Sequence, residues 1–169
     1  PVTPQVFGKL AFGARSEGVV AVARPPHRTL AELRLGPNPV VAVLEGVEKP
    51  GNVGAVIRSA DGAGVAAVIV VDGATDLYNP NAIRASLGTV FTVPLVAAPA
   101  ETTRDWLEEN GFQILAARVG AGTNYADISY RRATALVLGS ESQGLSDIWQ
   151  GDAVTPISLP MLGVADSLN

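Results

Sequence analysis

The sequence predicts a doubly wound α/β fold, a mostly parallel sheet with helices on both faces. Three observations carry that expectation. Short β-rich runs that are apolar on both faces alternate with helix-like segments along the chain, as in a parallel sheet covered on each side. The 169 residues fit one domain, and 47% hydrophobic residues are ample for a core. Only 17% of residues are charged, which excludes the composition of an intrinsically disordered chain.

The elements follow in order. Val19–Ala23 reads as a first strand, closed by the linker-like Arg24-Pro-Pro-His. A second proline cluster, Gly36-Pro-Asn-Pro, precedes the strand Val40–Leu44. Pro50-Gly51 then turns the chain into a helix over Val53–Ala63, with Asn52 as its N-cap residue type. Val53, Val56, Ile57 and Ala60 share its apolar face, while Gly54 and Arg58, four apart, lie together off it. Further strands are expected at Ala67–Val71, Thr92–Val96, Phe112–Ala117, Ala135–Leu138 and Val154–Leu159. Helices are expected near Asn81–Ser86, Glu101–Asn110 and Ser146–Gln150. The chain opens at Pro1 and stops at Asn169 in mid-motif, as a fragment of a longer chain would.

Composition removes several function classes. With no cysteine, disulfide scaffolds, thiolate metal sites and cysteine nucleophiles drop out. The single histidine, His27, sits beside two prolines as a linker residue and leaves no multi-histidine metal site. No apolar run approaches the ~18–20 residues of a membrane helix and no signal peptide is visible, so a soluble, cytoplasmic protein is expected. Net charge is −4, but residues 1–36 carry +3 and the remainder −7. Ten of the twelve cations are arginine, whose planar fork suits phosphate. Indiscriminate polyanion binding is disfavoured; a local arginine-lined site is not.

Active sites of such sheets gather at the carboxyl ends of the strands. Three loops stand there. The first, Leu44 to Gly64, leaves a strand and enters the Arg58 helix, with Gly54 leaving room for something to approach. The second, Leu136-Val-Leu-Gly139-Ser-Glu141-Ser-Gln-Gly144-Leu-Ser146, puts one carboxylate in a small-residue loop that exposes backbone groups. The third runs from Ile157 through Pro160 and Gly163 to Ser167-Leu168-Asn169. Taken singly, each also serves as a plain structural connection. Two other patterns fail on context. Gly62-Ala-Gly64-Val-Ala-Ala67 has the glycine skeleton of a dinucleotide fingerprint, but its helix precedes its strand. Ser140-Glu-Ser142-Gln-Gly144 resembles a nucleophile elbow without the downstream histidine.

Taken together and in order, GNVGAVIRSADGAG, LVLGSESQGLS and ISLPMLGVADSLN resemble the three motifs of the SpoU family of RNA 2′-O-ribose methyltransferases, in the knotted SPOUT superfamily. Tyr78 to Pro94 is also similar to a segment of that family, and the likeness runs from about Val40 to the end. The stretch Arg15 to Pro26 resembles the segment joining an N-terminal RNA-recruiting domain to the catalytic one.

The resemblance implies a C-terminal trefoil knot, S-adenosylmethionine as cofactor, no metal, RNA (ribosomal or transfer) as substrate and a homodimer. It divides the chain into a linker or remnant over 1–36 and a methyltransferase domain over 37–169, cut before its last helix. It assigns Arg58 the central catalytic place, with Asn52, Glu141, Ser167 and Asn169. It gives cofactor contacts at Gly139, Leu159, Leu168 and Ala117, and RNA contacts at Arg58 and Arg84. Guanidinium is too weak an acid to serve as a proton acceptor at neutral pH, so phosphate clamping and charge stabilisation suit Arg58 better than proton abstraction. The rival expectation is a knotted module that binds RNA or a nucleotide without turnover.

Overall fold

The computed structural model describes residues 1–11, 18–73 and 75–164. Helix α1 (Pro4–Leu10) is capped by the Thr3 hydroxyl and buries none of its residues. β1 (Val40–Glu45), α2 (Pro50–Gly62), β2 (Ala67–Val71), α3 (Pro80–Ala85), β3 (Leu95–Ala98) and α4 (Ala100–Glu109) alternate through the first two thirds. β4 (Gln113–Ala117), β5 (Thr123–Asn124), β6 (Thr134–Leu138) and β7 (Val154–Ser158) complete one seven-stranded sheet. Its order is β3-β2-β1-β6-β4-β7-β5 and every pairing is parallel.

Strand alternation builds the two halves of the core. Val41 and Val43 face one side, where they join Ile114, Ala116, Leu107 of α4 and Trp149. Ala42 and Leu44 face the other, against Val53, Ile57 and Ala60 of α2. Leu30 and Leu33, around a 3₁₀ turn at Leu30–Glu32, are buried in the first half. That turn is closed by a capping box in which Glu32 accepts the Thr29 N–H and hydroxyl.

The fold class stands, and several elements shift. Val19–Ala23 forms no strand, and Val19 and Val22 are exposed. The run read as a strand from Thr92 starts instead at Leu95, since Thr89–Phe91 is a 3₁₀ turn that tucks Val90 into the core. Pro94, which lacks an N–H, contributes only its carbonyl to the pairing, accepting the Val68 N–H at 2.9 Å. Ser146–Gln150 reduces to a 3₁₀ turn at Asp147–Trp149. Residues 165–169, which the expected knot includes, and residues 12–17 lie outside the described residues.

Candidate active site

The central loop of the site leaves β6 at Gly139. The loop folds back so tightly that a Cβ on Gly139 would stand 2.2 Å from the Gly144 carbonyl oxygen and 2.7 Å from the Leu145 nitrogen. Only glycine fits there. Gly144, at φ 66°, turns the chain and donates its N–H to the Ser140 carbonyl at 2.9 Å. Ser140 in turn packs beside Gly46, just past the end of the neighbouring β1.

This brings the first and second loops together. Asn52 Nδ2 donates to Glu141 Oε1 at 3.2 Å across 89 residues of sequence. Lys49 Nζ stands 4.0 Å from Glu141 Oε2, with both side chains largely exposed. Asn52 is not the N-cap of α2, as its residue type suggested; Pro50 starts the helix and Lys49 holds the cap position. The Asn52 amide is thereby free of the backbone and reaches Glu141. Thr75 fastens the turn before the helix, its hydroxyl donating to the carbonyls of Val47 and Glu48.

What approaches Gly54 is α3. A Cβ there would lie 2.4 Å from the Ala82 carbonyl oxygen and 2.8 Å from Ala85 Cβ. Farther along α2, Asp61 accepts the Thr92 hydroxyl at 3.3 Å. Gly54, Arg58 and Asp61 therefore form one flank that runs beside residues 82–92. Arg58 is exposed on that flank, and among the described residues it makes no hydrogen bond or ion pair. It lies six residues from Asn52, about 9 Å along the axis and on another side of the helix. The structure thus joins Asn52 to Glu141, while Arg58 makes no hydrogen bond or ion pair with either. Arg84 is exposed in the last turn of α3, the helix that packs on Gly54. There Tyr78 stacks on Phe91 with ring centroids 6.0 Å apart, and partial burial raises its phenol pKa against the opposing pull of Arg28.

The residues expected at the cofactor divide between described and undescribed. Ala117 ends β4 and pairs with Ile157, while Gly139 and Leu159 directly follow β6 and β7. Since β6, β4 and β7 are adjacent, the three stand side by side on the carboxyl edge, about 10 Å across. Leu159 is partly exposed, and Leu162 and Val164 beyond it fully so. Ser167, Leu168 and Asn169 lie outside the described residues. No group of three or more His, Asp or Glu suited to a metal occurs among the described residues, and no described helix is long and apolar enough to cross a membrane.

Sequence reasoning passed over Lys49, Glu45 and Arg118. Glu45 is a buried carboxylate at the end of β1 that accepts the Ser146 N–H and hydroxyl, each at 2.7 Å, and the Trp149 indole N–H at 3.0 Å. Arg118 donates to the carbonyls of Leu145, Ser146 and Trp149. A carboxylate closing an apolar run was the only signal for Glu45; its partners are 101 and 104 residues away.

A profile of the SpoU rRNA Methylase family matches residues 39–169. The 23S rRNA (uridine(2479)-2′-O)-methyltransferase of Streptomyces viridochromogenes is 33% identical in an alignment 177 positions long, gaps included, that covers 95% of this chain and 59% of that protein. A crystal structure of an RNA 2′-O ribose methyltransferase superposes with a TM-score of 0.85 and 41% identity, covering 99% of this chain and 65% of that one. The SpoU methyltransferase AviRb of Streptomyces viridochromogenes, solved in complex with the cofactor AdoMet, gives 0.77 and 31% over 85% of this chain and 57% of its own. The chain thus spans about six tenths of the length of these relatives.

Proposed function

The chain belongs to the SpoU rRNA methylase family, and from that membership we propose that it methylates a ribose 2′-hydroxyl of RNA, with S-adenosylmethionine as donor. The observation that carries the reading is the meeting of Asn52 and Lys49 with Glu141 at the carboxyl edge of the sheet, where two family motifs converge. The relatives' names support ribosomal RNA as the substrate class. We assign residues 37–169 to the catalytic domain and 1–36 to a connecting segment, with the knot in the C-terminal third and a cytoplasmic location.

The residues present fit the cofactor. Leu159, directly after β7, offers exposed apolar surface on the carboxyl edge that Gly139 shares, suited to the flat face of a purine. Gly139, Ala117 and Leu159 line the same edge, and Leu168 belongs to the same assignment. When bound, S-adenosylmethionine supplies an already activated sulfonium methyl. The chain's own residues then need to orient the ribose and help its proton leave. Glu141, with Oε1 held by Asn52 and Oε2 facing Lys49, presents a fixed acceptor to a hydroxyl. Ser167 and Asn169, outside the described residues, are assigned catalytic roles by the family resemblance alone. Arg58 clamps an RNA phosphate and steadies developing charge, and Arg84 adds a second phosphate contact. A homodimer as the active species is part of the same assignment, as the family resemblance implies.

The test is calorimetric titration with S-adenosylmethionine, followed by tritiated methyl transfer to ribosomal and transfer RNA. Arg58→Lys should lose most transfer while still binding the cofactor, since a point charge does not reproduce the fork. Near-normal turnover in that variant removes Arg58 from its central place. Binding to RNA or cofactor without transfer by the unaltered protein favours a non-catalytic binding module instead.

A further inference from the structure

Resting on that reading, we infer that Glu45 and Arg118 are positioning residues of the reaction: from the strands on either side of β6, they clamp the exit of the Glu141 loop. The register makes the arrangement legible. Leu44 pairs with Leu138, so Glu45 stands level with Gly139 on one side. Ala116 pairs with Val137, so Arg118 stands level with Gly139 on the other. Both follow the alternation that puts Val43 and Ala116 on the Trp149 face of the sheet, and both side chains reach the same five residues, Leu145–Trp149.

The division of labour is chemical. Glu45 takes donors: the Ser146 N–H, the Ser146 hydroxyl and the Trp149 indole N–H. Arg118 takes acceptors: the carbonyls of Leu145, Ser146 and Trp149. Arg104 of α4 takes a further carbonyl of the turn, that of Ile148. Glu45 has no cation and Arg118 no anion against it among the described residues; each is satisfied by the loop itself. Two ionised groups committed to one short segment, with Trp149 plugged into the core, fix where the loop returns. Glu141 lies four residues before that anchor, and the Asn52 contact alone does not set its position. Removing either group leaves polar atoms of the segment unpaired and lets the whole loop relax.

The experiment compares Glu45→Gln, Arg118→Met and Arg118→Lys with Leu33→Ala, a core control beside Pro39, Phe112 and Ala133, at the opposite edge of the sheet from Gly139. In the cofactor-free protein, amide exchange at Gly144, Leu145 and Ser146 should quicken at least about tenfold in Glu45→Gln and Arg118→Met, with β2 amides unchanged. The Trp149 indole resonance should move in Glu45→Gln. Methyl transfer should fall about 10- to 100-fold in kcat while RNA KM holds, and Arg118→Lys should recover part of it, since a lysine reaches one carbonyl of the three. Leu33→Ala should lower stability with kcat unchanged. The inference is overturned if exchange at 144–146 is unaltered, or if all variants lose activity only in step with stability, as Leu33→Ala does. If the unaltered protein neither binds S-adenosylmethionine nor methylates RNA, the functional reading falls instead, and the exchange data still decide the clamp.

Discussion

Replacing Gly54 with alanine sets two effects of opposite sign against each other. Alanine in a helix interior is favoured over glycine by about 1 kcal/mol. Against this, the new Cβ would stand 2.4 Å from the Ala82 carbonyl oxygen, where ordinary contact begins at 3.4 Å. The α2–α3 contact would have to open by about 1 Å, and neither the carbonyl nor the Ala85 Cβ can swing aside as a long side chain does. Overpacking of this kind costs ~1–3 kcal/mol, at the upper end where backbone is involved, so a net loss of about 1–2 kcal/mol is expected. For a domain of this size that lowers Tm by roughly 2–8 °C. Gly62→Ala, in the same helix with nothing within 4 Å of the new Cβ, isolates the propensity effect and should be neutral or stabilising. Differential scanning calorimetry on the two variants checks the sum. If Gly54→Ala melts at or above the unaltered protein, the close approach of α2 and α3 is wrong, and so is the flank on which Arg58 is placed.

The other expectations can be tested together. Gly139→Ala forces a Cβ into the Gly144 carbonyl, so it should cost ~1–3 kcal/mol in urea unfolding and weaken cofactor binding; a neutral result would mean the loop is open. Arg84→Ala should reduce RNA affinity, read by filter binding, with S-adenosylmethionine affinity intact. Because the Tyr78 phenol is raised by burial, the stability it contributes is present below the usual phenol pKa of about 10 and is lost as pH rises through its folded value. Tyr78→Phe should therefore flatten the alkaline loss of stability, and Arg28→Ala should delay Tyr78 ionisation further in an ultraviolet titration. Glu32 acts in the opposite direction: its carboxyl is lowered mainly by the Thr29 N–H, so its contribution is lost as pH falls through its folded value, and Glu32→Gln should blunt acid sensitivity.

Much of the fold was legible because parallel strands buried on both faces are written as continuous apolar runs. Ala67–Val71 matches its predicted bounds, and β1, β4, β6 and β7 differ from theirs by a residue. The failures have physical causes. Val90 and Val93 are as apolar as strand residues but are buried from a turn, so periodicity placed β3 too early. Helix α1 lacks a buried face, and the two-residue β5 exists only through its pairing with β7. In the site, Gly54, Gly139 and Glu141 announced themselves by residue type. Lys49, Glu45 and Arg118 did not, because a charge at a strand end or helix cap looks like ordinary surface until the distant chain that it holds is in place.

The strand order also dictates an assembly schedule. β1 pairs with β2 early, but its other edge waits for β6, with Val40 meeting Thr134 only after most of the chain has been made. Until then β1 and β4 are open templates on either side of a gap, and long-range parallel pairing of this kind closes slowly. A late-arriving central strand makes translation the vulnerable period for this protein, when its nascent sheet is most exposed to mispairing with another chain.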